Sequence, residues 1–558
     1  MHQAAQADES IVSSVNESRF LGHLRTLFST STTVLAECLQ NGRRAGASQI
    51  DFDYDDLTST LSITDNGSGI ADFRALVTVA ESGWSEETMT TEKPFGIGFF
   101  SVSFAAEEVI VESRGRQIVF SSEDLIAKRQ IRVQPSSFIG GTRISLIKCK
   151  LGKMTIRNAL GNYAKGFATP VFWMGEEVER PHAQAELRGV KTTIGFVHVP
   201  GIHSSAPIAF EGHGMVYCQG LPVSVQGFTQ HYHGPGSRPM PIVHVDHLVY
   251  TPRMPDRDSL IDPEKAVKEF GAVLNGLWKE HILAKKAELS PIEFVENYWG
   301  TAQKVGCLEC MEDVPVLPKH MVDYVAEMPF LAYYDGEGYR RHHPTHVTMD
   351  QVRSGEVRLC RDFSEDGEGD DFARLTYAMK ANLLFVQCGL PPNHWARPFL
   401  RDTAGDSMRI SGQVVASEQY QGGWCEGRIK LVKNLAVTMG GTTVFLDEPV
   451  CLGADPWSGS AAFLVPLKYA KAGRGASAVL RQLSSYRDSN ETYCETDFEL
   501  DCRRFDDLVA ILAGEPGETT LEKSLRSAGA SHMTNLRNRS FLVAFDAEGN
   551  ITVTGATA

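Results

Sequence analysis

Three short stretches of the chain carry side chains whose types and spacing suit phosphate chemistry: Glu37 with Asn41, Asp65 with Gly67, Gly69 and Ile70, and the glycine box formed by Gly96, Ile97, Gly98 and Phe99. Residues 33–45 place apolar or small side chains at Val34, Leu35, Cys38, Leu39 and Ala45, a helical stripe that puts Glu37 and Asn41 at i and i+4 on one face. A carboxylate there can orient and deprotonate a water, and an amide oxygen one turn later suits a hard cation such as Mg²⁺. The spacing fits metal-assisted hydrolysis of a phosphate. A solvated polar face is the plain alternative, and E-x-x-x-N by itself does not separate the two.

The elements around these residues must hold them together. Residues 50–54 and 61–64 alternate apolar and polar side chains like two half-buried strands, with 55–59 as the turn between them. The second strand delivers Asp65 into a glycine turn, where its carboxylate can accept a hydrogen bond from an exocyclic amine of the kind adenine carries. The same five residues would also serve as an ordinary turn. Residues 93–101 open a helix predicted to run to about 106, followed by a strand at 109–112. Glycines ahead of a helix expose N–H groups to an anion, which makes the box a candidate phosphate cradle. It is neither a lysine-bearing P-loop nor the three-glycine dinucleotide motif. Gly140, Gly141 and Thr142 form a further glycine turn entering a strand, from which the Thr142 hydroxyl can support Asp65.

In this order the four pieces resemble the ATP-binding module shared by gyrase, heat-shock chaperones, histidine kinases and mismatch-repair ATPases, the GHKL superfamily, over residues 20–150. The resemblance implies an α/β sandwich with a mixed sheet and ATP held under a lid, here residues 79–94. It assigns the general base to Glu37, Mg²⁺ to Asn41 and adenine to Asp65. It spreads the other ATP contacts over Gly67, Gly69, Ile70, Ser82, Gly83, Gly96, Ile97, Gly98, Phe99 and Thr142. Within the superfamily the glycine box and Ser82-Gly83 look most like the ninety-kilodalton heat-shock branch. Arg44 stands where that branch and the mismatch-repair branch usually carry an aspartate.

Beyond 150 the pattern gives an amphipathic helix at 154–167, strands at 192–199 and 215–225, and a helix at 263–283. This resembles the α/β transducer domain that follows the ATP module in chaperone and mismatch-repair ATPases. Residues 256–260 resemble the chaperone segment that sends an arginine to the γ-phosphate, which assigns a catalytic role to Arg257. Arg253 is the rival, and a surface arginine paired with Asp256 or Asp258 is the alternative reading. The expected division is an ATP-binding domain at 1–150, a transducer-like domain at 151–290, and α+β regions at 291–400 and 401–558, in line with the several domains that 558 residues suggest. Within the last region, strands are expected at 408–415 and 441–446, a helix at 505–512 and a hairpin joining 540–545 to 551–554.

Composition narrows the partners. A net charge of −15 argues against a surface that coats DNA, although basic patches at 340–346 and 148–153 leave local contact open. No apolar run reaches the ~18 residues of a membrane helix, and the first residues lack a signal pattern. The expected setting is the cytoplasm, where the 11 cysteines would be reduced thiols. Cys307 and Cys310 form a lone C-x-x-C whose completions, among His320, His342, His343 and Cys360, are irregularly spaced for zinc. The acidic run 365–371 reads as a linker.

Three functions fit this sequence. The first is an ATP-hydrolysing machine like the heat-shock chaperones that clamps protein partners. The second is an ATP-gated DNA clamp of mismatch-repair or chromatin-remodelling type, with bacterial defence as one setting. The third, a histidine kinase, is disfavoured because no dimerising helix with an acceptor histidine precedes the ATP module. The resemblance also implies a homodimer, with polar residues 1–20 as a candidate arm.

Overall fold

The computed structural model describes residues 32–78, 81, 83, 84, 86, 88, 90, 98–206, 208, 210–229, 239–254, 257–326, 340–361, 371–386, 389–401, 407–452, 461–483 and 495–555. Ser82, Gly96, Ile97, the 1–20 arm and most of the 79–94 and 365–371 segments lie outside them. The chain divides into two units, residues 1–285 with 300–306, and residues 286–299 with 307–558.

The first unit opens on helix α1 (Thr33–Arg44), in which every residue from Thr33 to Gln40 is buried. A helix covered on all sides leaves its polar side chains no water, so Glu37 and Gln40 must find partners inside the protein. Arg43 and Arg44 in its last turn complement the helix dipole.

Strands β1 (Ile50–Asp55) and β2 (Thr60–Asp65) follow, then the short α2 (Arg74–Val77) and α3 (Phe100–Phe104), β3 (Glu108–Ser113), β4 (Arg116–Phe120), α4 (Ser122–Ile126), β5 (Gln134–Pro135), β6 (Thr142–Ile147), α5 (Lys153–Tyr163), β7 (Val171–Trp173) and β8 (Glu176–Glu177). The strands form one mixed sheet in the order β5-β4-β3-β6-β2-β1-β7-β8, antiparallel except where β1 meets β7.

Register explains the core. Phe52, Ile63, Ile144, Val111 and Ile118 stand side by side across five strands, and Leu61, Leu146, Val109 and Phe120 form the next row. All are buried and pack with Val34, Leu35 and Leu39 of α1. Because side chains alternate with period two, the face that carries Leu61 and Ile63 also carries Asp65, and the face of Ile144 and Leu146 carries Thr142. The sheet thus brings Asp65, Thr142 and Ser113 together as one row at its end.

The helix after the glycine box is shorter than its pattern suggests, five residues rather than a run to 106. It stops because Ala105 and Glu107 are drawn into backbone bonds with Lys150 and Ile147 that start the next strand.

A second sheet, in the order β12-β11-β13-β10-β9, contains β9 (Val190–Thr192), β10 (Gly195–His198), β11 (Met215–Cys218), β12 (Leu221–Pro222) and β13 (Ile242–Val245). Two stretches expected to be single strands are each broken by a turn. At 192–199 the Thr192 hydroxyl accepts the Ile194 N–H at 3.2 Å, so a residue with strand propensity makes a turn instead. At 215–225 Gln219 and Gly220 both take positive φ, 53° and 82°, which folds the run into a hairpin. Helix α6 (Pro263–Glu288) closes the layer, burying Ala266, Phe270, Leu274, Trp278 and Ile282 at four-residue intervals. Phe270 meets Phe228 and Tyr250 with ring centroids at 5.2 and 5.5 Å.

The second unit contains a four-stranded sheet in the order Arg340–His342, Val322–Val325, Leu383–Val386, Arg358–Cys360, with helix Asp371–Lys380 beside it. A five-stranded sheet follows, built on the long strands Arg409–Gln421 and Glu426–Met439. Helix Glu495–Leu512 packs on it through Phe505, whose ring lies 5.1 Å from Tyr420 and 5.2 Å from Phe463. Asp501 of this helix is 1% exposed, and its carboxylate accepts the N–H groups of Gly423 at 2.7 Å and Trp424 at 3.1 Å. A hairpin of Phe541–Phe545 with Ile551–Gly555 comes last. Among the described residues no helix is long and apolar enough to cross a membrane.

Candidate active site

Helix α1, the ends of β2 and β6, the loop after β2 and the turn at Gly98 surround a cavity of about 490 Å³, within the range typical of pockets for nucleotide-sized ligands. Glu37, Asn41, Asp65, Gly69, Ile70, Gly83, Gly98, Phe99, Thr142 and Arg257 all line it. Gly67 stands beside it, its N–H held by Asp65 Oδ1 at 2.9 Å.

The lining sets one carboxylate, that of Asp65, among apolar side chains. Asp65 accepts hydrogen bonds from Gly67 N–H and the Thr142 side chain, but burial outweighs both and holds its carboxyl above the usual aspartate range. Ile50, Ile63, Ile70 and Ile144 line the same cavity. A charge acceptor within apolar walls is suited to a flat ring that bears an amine.

The lining also carries charged and polar side chains. Glu37 and Asn41 project into the cavity from one face of α1, as their spacing requires, and Arg44 continues the stripe one turn later. Glu37 is 4% exposed and Arg257 5% exposed, and Arg257 Nε donates to Glu37 Oε1 at 3.3 Å. Arg257 is therefore in the cavity and paired with Glu37, whereas Arg253 is exposed. The Cys38 thiol lies buried near Glu37 and Asp65. Burial first, and then the two carboxylates, push it far up, so it does not act as a thiolate.

Gly98 lies directly against the Glu37 side chain. A Cβ at this position would collide with the carboxylate of Glu37, so only glycine lets the turn lie on it. Gly69 is required for another reason, its φ of 72°. Described residues of the expected lid, Glu81, Gly83, Trp84 and Thr88, line the same cavity.

Several residues that frame the cavity went unmarked by motif reasoning. Ser113 donates to Gly141 C=O at 2.5 Å and accepts Ile70 N–H at 2.9 Å, which joins the two glycine turns. Arg114 donates twice to Ser68 C=O, at 2.9 and 2.6 Å, and Arg116 Nη2 reaches Ala71 C=O at 2.8 Å while lying over the Phe73 ring. Asn66 accepts the N–H groups of Ser48 and Gln49 at 2.8 and 3.1 Å. Strand alternation places Ser113 on the buried face with Val109 and Val111, a signal that was available in the sequence.

Residues 29–137, which contain the residues of this constellation apart from Gly141, Thr142, Ile144 and Arg257, match the family described as histidine kinase-, DNA gyrase B-, and HSP90-like ATPase. This region belongs to the GHKL superfamily. An endoplasmin homologue of Dictyostelium discoideum is 28% identical over 193 residues, a match that spans 31% of this chain and 24% of that relative. The chain thus aligns with about a quarter of the relative's length. Together the two similarities set the GHKL domain near the ninety-kilodalton heat-shock branch.

The GHKL domain's oxygen donors fit a magnesium nucleotide. Asn41 offers an amide oxygen on the cavity wall, and Mg²⁺ is commonly held by one or two protein oxygens together with phosphates and waters rather than by an all-protein cage. Among the described residues no group of three or more His, Cys, Asp or Glu side chains is arranged to hold a metal ion. Cys307 and Cys310 are both buried, and burial, aided by Cys307, pushes the Cys310 thiol up to about 12.

Proposed function

We propose that this protein binds ATP with Mg²⁺ in the α1–β2–β6 cavity, hydrolyses it, and uses the cycle to clamp and release protein partners. The observation that carries this reading is that Glu37, Asn41, Asp65, Gly98, Thr142 and Arg257 all line one cavity, with Arg257 paired to Glu37 and Gly98 against the Glu37 carboxylate. Asp65 reads the adenine amine, and the apolar walls take the ring. Asn41 holds Mg²⁺, which when bound neutralises phosphate charge. Glu37 orients and deprotonates the attacking water, and Arg257 stabilises charge on the transferring phosphoryl group.

A buried carboxylate beside the phosphate end favours water as acceptor over a histidine. The net charge of −15 favours protein partners over a DNA clamp. The second sheet with α6 serves as a transducer, and two copies close on each other as the family resemblance implies. Buried cysteines with no disulfide among the described residues suit the cytoplasm.

The test is steady-state ATP hydrolysis by wild type and Glu37→Ala, with and without double-stranded DNA. Turnover that needs Glu37 and ignores DNA supports the proposal. Strong stimulation by DNA would favour the DNA clamp, and turnover without Glu37 would remove the assignment of the base.

A further inference from the structure

Arg257 has a left-handed backbone, φ 57°, a conformation that L-residues other than glycine keep only when their surroundings impose it. Two side-chain bonds fix its guanidinium: Nε to Glu37 Oε1 at 3.3 Å and Nη1 to Gln219 Oε1 at 3.0 Å. Gln219 stands on the β11–β12 turn, far from every nucleotide motif in the sequence. Its own backbone carbonyl accepts Gln40 Nε2 at 3.0 Å, and Gln40, 0% exposed on α1, accepts Arg43 Nε on its Oε1 at 3.0 Å.

The direction of each bond is settled by chemistry. Guanidinium groups only donate, so the oxygen of each carboxamide must face its arginine. This leaves the Gln40 NH₂ to face the Gln219 carbonyl. The result is a closed circuit that leaves α1 at Glu37, passes through Arg257 and Gln219, and returns to α1 at Gln40, one turn further on. It joins the second sheet to the helix that carries the base.

We propose that Gln219 is a positioning residue for phosphoryl chemistry: it sets Arg257 in the cavity and, through Gln40, ties the β11–β12 turn to the helix bearing Glu37 and Asn41. The proposal rests on the reading of the cavity as an ATP-hydrolysing site. It gives the second sheet a direct hold on that site, because a shift of the turn by the length of a hydrogen bond frees Arg257 from Gln219.

The experiment measures kcat, KM and calorimetric ATP binding of the full chain for a small set of variants. Gln219→Met keeps the stem and the backbone requirement but lacks an acceptor; kcat is expected to fall about 10-fold with KM within about threefold. Gln40→Glu sets carboxylate oxygens against the Gln219 carbonyl and is expected to give a similar loss. Gln219→Glu retains an acceptor oxygen and should keep at least about threefold more of kcat than Gln219→Met.

In an Arg257→Ala background, Gln219→Met should change kcat by no more than about twofold, because the group it positions is gone. Wild-type kcat in Gln219→Met overturns the proposal, and so does an equal loss with and without Arg257. Wild-type turnover in Glu37→Ala is a different failure: it removes the reading of the cavity, and the role of Gln219 with it.

Discussion

Gly98→Ala places a methyl group where the Glu37 carboxylate stands. A Cβ on Gly98 would lie 2.5 Å from Glu37 Cδ and 3.1 Å from its Cγ. Carbon atoms prefer to stay about 3.5 Å or more apart, so the carboxylate and the turn must separate by about 1 Å. Glu37 is held on its other side by Arg257 and is 4% exposed, so it has little room to retreat. Overpacking of this kind costs about 1–3 kcal/mol of stability, which a domain of this size survives. Rate suffers more, since a misplacement of ~1 Å at a reacting group costs about 10²-fold. The expected result is a kcat near one hundredth of wild type with ATP binding, measured by calorimetry, reduced far less. Glu37→Asp shortens the acid by one methylene and makes room for the new methyl, so the double variant should be no slower than Gly98→Ala alone. Turnover of Gly98→Ala within about twofold of wild type would refute the placement of the base against this turn.

Three further outcomes follow from named contacts. Because burial raises the Asp65 carboxyl, ATP affinity should begin to fall, as pH is lowered, above the usual aspartate range; the protonated acid is a weaker acceptor for the adenine amine than the carboxylate, and calorimetry across mildly acidic pH reads the loss. Folding has the opposite sign at this group: the native state binds the proton more tightly than the unfolded chain, so Asp65 makes stability decline as pH rises through its raised value. Arg257→Ala leaves a buried carboxylate without its ion-pair partner at a cost of about 3–5 kcal/mol, and it should slow turnover at least ~10²-fold with ATP binding nearly intact. Asp501→Ala removes two charge-assisted bonds to backbone N–H groups and should cost about 3 kcal/mol, seen as an earlier urea transition with ATP hydrolysis unchanged below it.

What the sequence disclosed and what it hid have separate physical causes. The i, i+4 spacing of Glu37 and Asn41 and the alternation of 50–54 and 61–64 are local, so they lead directly to α1, β1 and β2. Alternation also carries Asp65 onto the buried face, because it continues the row of Leu61 and Ile63. Gln219 and Gln40 are separated by 179 residues and meet only once two sheets are folded, and neither belongs to a motif.

The hairpins at 192–195 and 218–221 escaped detection for a different reason. Val, Thr and Ile favour strands, but the Thr192 hydroxyl and the positive φ of Gln219 and Gly220 decide the local path. The glycine box predicts a longer helix than the five residues that form, since propensity does not register that Lys150 and Ile147 take up the next backbone groups. Arg257 could be placed from a motif. Its pairing with Glu37 could not, since the two lie 220 residues apart.

The central claim is that the cavity is an ATP site with Asp65 at the adenine. Calorimetric titration of ATP with Mg²⁺ into the wild-type chain and Asp65→Asn tests it most directly. Saturable binding in wild type and at least about 100-fold weaker binding in Asp65→Asn is the predicted result. Equal affinity in the two proteins, or no binding to wild type, would contradict it.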